Sequence, residues 1–200
     1  MIDLEKQCTL VALSEEEKIA DFDCGNEDLN DFFNHDAILY QRQLLGQTYF
    51  FRHDETGKIV CAFTWSPDGF KTSMLPNNRR RKVKKLIPYN KSLQSYPAFL
   101  IGRLGVSKDF NKQGIGSQLL EFIKFIAFVR YPNLIRFLLV DAYNDPSVLN
   151  YYQRNDFLFV FATEEQEREY HQKTGSEEIL RTRYMFYDMM QWKNEFVERQ

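Results

Sequence analysis

The chain has 200 residues, 44% hydrophobic and 27% charged, with 18 Phe, 11 Tyr, 9 Gly and 6 Pro. A chain of this size and make-up buries about 70% of its unfolded surface, which excludes disordered, collagenous and linker-rich classes. Its three cysteines, Cys8, Cys24 and Cys61, are odd in number and lack C-x-x-C spacing, so a disulfide framework and a zinc ribbon are excluded and a reducing cytoplasm is expected. The N-terminal MIDLEKQ has neither the basic nor the apolar region of a signal peptide. The most hydrophobic run, 119–129, is broken by Glu121 and Lys124, so no membrane span is expected. The net charge of −2 conceals a segregation. Between Lys71 and Lys91 stand eight Lys/Arg and no Asp or Glu, leaving the remainder with 18 bases against 28 acids.

Cys8 to Leu13 reads as a first strand. Asn26 or Asp28 can cap a helix whose apolar positions, Leu29, Phe32, Phe33, Ala37, Ile38 and Leu44, follow helical spacing up to Gly46. Gln47 to Arg52 and Ile59 to Trp65 read as a hairpin. The basic segment follows, an insert over about 67–97, and Ala98 to Val106 forms the next strand, with two glycines marking close approach or a bulge. After the loop Lys108 to Gly116, an apolar helix runs from about Ser117 to Arg130. Phe137 to Asp141 is an apolar strand of the buried kind, and Asp145-Pro146 starts a short helix ending near Asn155. Phe157 to Ala162 is a strand, an acidic helix spans roughly Glu164 to Gln172, and Arg181 to Tyr187 is the last strand. An extension begins at about 188. Nothing repeats and nothing reads as a linker. The expectation is one α/β (α+β) domain over 1–200, a mixed central sheet flanked by helices.

The segment from Arg103 to Ser117, RLGVSKDFNKQGIGS, is strand, loop, glycine pair and helix start. Small residues let backbone approach a phosphate, and the N–H groups and dipole of a helix N-terminus favour negative charge. It is not a Walker loop, for no Gly-Lys-Ser/Thr follows, nor a dinucleotide fingerprint, for Gly114-x-Gly116 lacks the third glycine. A glycine pair also occurs at ordinary strand-to-helix turns.

In its context this segment resembles the acetyl-CoA site of the GNAT N-acetyltransferase superfamily, whose signature is Gln/Arg-x-x-Gly-x-Gly/Ala. The matching positions are Asn111, Lys112, Gln113, Gly114, Ile115 and Gly116, with Asn111 departing from Gln/Arg. Downstream, Asp141-Ala142-Tyr143-Asn144 and Asp145 to Phe157 are similar to the family's second half-site. The resemblance implies that acetyl-CoA is held by Leu104, Gly105, Val106, by the run Asn111 to Ser117, and by Asn144. It also implies that Tyr152 faces the CoA sulfur. Asp156 stands where the family has Gly, a departure that an Asp tolerant of left-handed backbone absorbs. Taken alone, Tyr151 and Tyr152 are more often core aromatics than catalytic ones. The implied chemistry is direct attack of an amine on the acetyl thioester. A backbone N–H near Leu104 to Val106 stabilises the oxyanion, and a tyrosine protonates the leaving thiolate. Cysteines then need no role and read as buried small residues. His35, His53 and His171 have no ligand spacing, so no metal is expected.

A narrower likeness is carried by Cys24 to Phe32 (CGNEDLNDF), Gly46-Gln47-Thr48-Tyr49, the basic insert, and Ile101 to Val106 (IGRLGV). These resemble the GNAT toxins of toxin–antitoxin pairs, which acetylate the α-amine of aminoacyl-tRNA. The resemblance implies an RNA backbone held by Arg79, Arg80, Arg81, Lys82, Lys84 and Lys85, an antitoxin partner, and a homodimer as one assembly state. A charge run is otherwise a solvated helix face. The absence of acids over 21 residues of an acidic chain argues for a polyanion. No His or carboxylate in the motifs is an obvious base. Deprotonating a Lys amine at pH 7 costs about 4.6 kcal/mol, an α-amine only about 1, so the missing base suits an α-amine. Two alternatives stand beside this one: acetylation of a protein or small amine, and a non-catalytic CoA-binding module motivated by Asn111 and Asp156.

Overall fold

The computed structural model describes residues 2–85, 87, 93–173 and 179–198, with the side chains at 74, 82, 173 and 197 excepted. The chain divides into two compact units, 1–67 with 101–129, and 68–100 with 130–200.

In the first unit a single turn, α1 (Leu4–Gln7), is capped by the Asp3 carboxylate and leads into β1 (Cys8–Ala12). A continuous helical run follows, made of α2 (Glu27–Asp31), a π-helical turn over Phe32–Asp36, and α3 (Ala37–Arg42). Asn26 is the cap that forms, its Oδ1 accepting from Leu29 N at 3.1 Å. Phe22, Leu29, Phe32, Phe33 and Ala37 bury one apolar stripe against Phe50 and Ala62. The helical run stops earlier than Gly46. Leu44 takes the left-handed conformation at φ 58° and is 93% exposed. Gly46 is needed for a different reason: a Cβ there would lie 2.9 Å from the Trp65 carbonyl and 3.0 Å from the Tyr40 ring. The strand β2 (Gln47–His53) pairs antiparallel with β1, from Cys8↔His53 to Ala12↔Tyr49, and with the first half of β3 (Ile59–Lys71).

Two boundaries differ from expectation. The strand β3 continues past Trp65 to Lys71, and the next, β4 (Ser95–Val106), begins three residues before Ala98. Pro67 and Pro97 bound the expected insert. Both lie exposed, and Pro97 still accepts a bond from Arg136 N at 2.9 Å through its carbonyl, so neither ends its strand.

In the second unit, α4 (Asn77–Lys85) is the basic segment. The apolar helix α5 (Ile115–Arg130) ends as this unit resumes and starts two residues earlier than expected. Next come β5 (Phe137–Tyr143) and α6 (Pro146–Arg154), the latter capped by Asp145 with Pro146 in its first turn. The strand β6 is only Leu158–Phe159, because Val160 and Phe161 turn into the core with Phe70, Phe137 and Phe186. Then α7 (Glu164–Lys173), β7 (Thr182–Asp188) and α8 (Met189–Glu198) complete the order. The extension from 188 is therefore a helix, anchored by buried Trp192 stacked on Phe196 at 4.9 Å. The strands β5 and β7 are antiparallel, from Phe137↔Asp188 to Tyr143↔Thr182, and β6 pairs antiparallel with β7. The seven strands form one mixed sheet in the order β1-β2-β3-β4-β5-β7-β6. No helix among the described residues is long and apolar enough to cross a membrane.

Candidate functional site

Within the first unit, Leu104, Gly105 and Val106 close β4 and lead through a 3₁₀ turn, Lys108–Phe110, to the glycine loop. Gly105 is required by crowding. A Cβ there would meet the Phe22 ring at 3.1 Å and Cys24 Sγ at 3.3 Å, so the 22–24 segment lies directly on the strand. The same segment is tied down by Lys108, whose N–H donates to the Asp23 carbonyl at 2.8 Å and whose ammonium meets the Asp23 carboxylate at 2.8 Å. Lys108, then the N–H of Gly25 and Asn30, hold the Asp23 carboxyl down at about 2.

The loop turns through two left-handed residues, Lys112 at φ 61° and Gly114 at φ 75°. Nothing lies within 4 Å of where a Gly114 Cβ would stand, so the ground over the loop is open to a ligand. The first intrahelical bond of α5 runs from Gln118 N to the Gly114 carbonyl at 3.2 Å. The N–H groups of Ile115 and Ser117 therefore have no carbonyl one turn back and point out of the helix start. A sixteen-residue helix behind them adds its dipole. Asn111, Lys112, Gly114 and Ser117 are exposed, as an anion cradle needs. The Gln113 side chain is engaged elsewhere, its Oε1 accepting from Ile2 N at 3.1 Å. Gln118 likewise accepts from Leu4 N at 2.9 Å, a brace between loop and N-terminus that no local pattern announces. The Gln113 side-chain oxygen is thus taken, and its backbone N–H is left for a ligand.

The second group of expected site residues lies in the second unit. Asn144 follows β5 and donates its side-chain N–H to the Leu180 carbonyl at 3.1 Å, which leaves its Oδ1 as the acceptor for a ligand. Tyr152 is buried on α6, edge-on to Tyr151 at 5.0 Å and to Phe157 at 5.4 Å. Burial pushes its phenol well above the ordinary value, so the hydroxyl holds its proton throughout the neutral range. The helix then ends through Asp156 at φ 67°, the left-handed backbone expected where relatives carry Gly.

The basic segment is an ordered helix with two faces. Val83 is buried in the core, while Arg81 and Lys85, one turn apart, are exposed. Arg80 must be reassigned. Its guanidinium donates to three carbonyls of the preceding turn, Thr72 at 2.9 Å, Ser73 at 2.8 Å and Leu75 at 3.2 Å. It fixes α4 to that turn and is not free for RNA. The side chain of Lys82, and Lys91 altogether, lie outside the described residues. Cys61 and Cys8 are buried, with their thiols raised, that of Cys8 to about 11 by burial. Cys24 is half-buried beside Gly105, less enclosed than a core residue.

The protein-family model for the acetyltransferase (GNAT) family matches residues 15–157, most of the chain. The chain belongs to the GNAT family, whose members take acetyl from acetyl-CoA. Solved structures of toxins share the fold. A point mutant of KacT superposes with TM-score 0.70 at 22% identity, covering 94% of this chain and 99% of its own. AtaT complexed with acetyl-methionyl-tRNAfMet gives 0.71 at 19%, with the same coverages. AtaTR bound with acetyl-CoA gives 0.68 at 18%, covering 95% and 98%. Among curated proteins none matches the sequence.

Proposed function

We propose that this protein moves acetyl from acetyl-CoA to the α-amine of an aminoacyl-tRNA, in the manner of a toxin. Acetyl-CoA supplies an activated acetyl thioester. The residues present fit it: an open left-handed glycine loop at a helix start takes pyrophosphate through the N–H groups of 113–117, and the Asn144 Oδ1 can accept from the pantetheine arm. The N–H groups of Leu104 to Val106 are the donors for a developing oxyanion. Tyr152, kept protonated by burial, is the acid that gives its proton to the leaving thiolate.

The choice of acceptor rests on α4. Its outward face carries Arg81 and Lys85 with no carboxylate in 71–91 to neutralise them, which suits a phosphate backbone read without regard to sequence. AtaT, of the same fold, is bound to an acetylated tRNA in its complex, and that supports the reading. Other AtaT structures hold the C-terminus of the antitoxin AtaR, and an antitoxin is the protein partner proposed here. The deciding experiment is transfer from labelled acetyl-CoA to a total aminoacyl-tRNA pool. Label retained on tRNA and lost in Tyr152→Phe supports the proposal. Transfer only to a protein or small amine moves the acceptor, and slow release of CoA with every amine leaves a binding module.

A further inference from the structure

We propose that Arg103 is an acceptor-side anion site, taking the phosphodiester that joins the 3′-terminal nucleoside of an aminoacyl-tRNA to its neighbour. The inference rests on the aminoacyl-tRNA reading and deepens it. The first unit has nine Lys and Arg, and seven lie within 4.0 Å of a carboxylate. The other two are Lys112, in the glycine loop, and Arg103, in β4 just ahead of Leu104 to Val106. One is already in an anion cradle. The other meets no carboxylate among the described residues.

Arg103 is also incompletely hydrogen-bonded. Its Nη1 donates at 2.9 Å to the carbonyl of Gly102, its own chain neighbour, and its buried Nε has no partner. A guanidinium is built to offer Nε and Nη together to paired oxygens. Here its Cζ lies over the Phe32 ring, 5.0 Å from the centroid, a cation–π contact that leaves Nε unfilled. Phe32 opens the π-helical turn of residues 32–36, a rare insertion that occurs often at functional sites. The side chain as a whole is half-buried, with Nε enclosed.

Its place separates it from the cofactor cradle. Arg103 lies three residues before the end of β4, about 10 Å back along the strand. By strand alternation it shares a face with Gly105, the face on which Phe22 and Cys24 pack. An aminoacyl end offers a neutral ester and nucleoside, so the first group with paired anionic oxygens is the adjoining phosphodiester.

The test uses two small acceptors, 3′-aminoacyl-adenosine and the aminoacyl dinucleotide cytidylyl-adenosine, which differ by one phosphodiester and the cytidine it carries. Wild type is expected to favour the dinucleotide by about 10–100-fold in kcat/KM, the range of a charge-assisted pair. Arg103→Gln removes that preference, while aminoacyl-adenosine turnover and calorimetric acetyl-CoA affinity stay within about twofold of wild type and the melting temperature is unchanged. Arg103→Lys keeps part of it. Equal losses on both acceptors would make Arg103 merely structural, lost acetyl-CoA affinity would assign it to the cofactor, and an intact preference would remove it altogether. Each overturns the proposal. If wild type acetylates neither acceptor but does acetylate another amine, the aminoacyl-tRNA reading has failed first, and this site falls with it.

Discussion

Two helices of the second unit, α4 and α7, look alike in sequence: short, strongly charged, and each of one dominant sign. They are held and used differently. Both turn one charged residue inward. In α4, Arg80 binds three backbone carbonyls and Val83 reaches the core. In α7, Glu167 is 0% exposed, accepting from Arg183 Nε and from Tyr184 N, each at 2.6 Å. The outward charges then part company. Glu164 of α7 meets Arg168 at 3.3 Å and Arg183 at 3.6 Å, so with Glu167 two of its four acids are answered within the unit. No carboxylate of residues 71–91 answers α4. Charge matched locally serves folding. Among the described residues Arg81 and Lys85 meet no carboxylate within 4.0 Å, and charge left so is open to a partner.

The largest effect on stability is expected where the matched charge is buried. Glu167→Ala takes the nearer of two carboxylates from the enclosed Arg183 guanidinium and the acceptor from Tyr184 N, and urea unfolding should show a loss of about 3–5 kcal/mol. A loss below about 1 kcal/mol would show that α7 docks by packing alone. Arg80→Ala comes next. Its three acceptors lie at a partly exposed turn, where water replaces part of the loss, so about 1–3 kcal/mol is expected, read by the same titration. The smallest stability effect is expected for Arg81→Glu with Lys85→Glu, within about 0.5 kcal/mol of wild type. That same pair should weaken tRNA binding steeply, and the log–log salt slope should become shallower by about 0.7 for each phosphate that the helix no longer holds. If it unfolds the protein, or leaves tRNA binding and its salt slope untouched, the contrast between the two helices is void. Acetyl-CoA affinity provides the control, because the glycine loop shares no residue with α4.

Much of the fold was legible because its signals are local. Asp145-Pro146 announces a helix start through a cap and a missing donor, and α6 begins there. Hairpin alternation predicted the β2–β3 pairing. Where reading failed, a residue with a strong average habit met an unusual neighbourhood. Pro67 and Pro97 stay in exposed strand positions, and Leu44 makes a left-handed turn that Gly46 was expected to make.

What the sequence determined by itself is set by chain-neighbour chemistry. The succession of elements, the glycine loop opening a helix, the family, and the acid-free basic segment were all readable, because spacing, caps and composition need no knowledge of distant residues. Tertiary structure alone decided which charges are used up at home. Arg79, Arg80 and Arg81 are identical as letters, yet only Arg80 is set among the carbonyls of Thr72, Ser73 and Leu75. Gln113 is turned to the N-terminus, and Arg103 is left over Phe32 with an unfilled Nε. A side chain's partner is a property of the fold, since the group that satisfies it can lie over a hundred residues away, as Gln113 and Ile2 do.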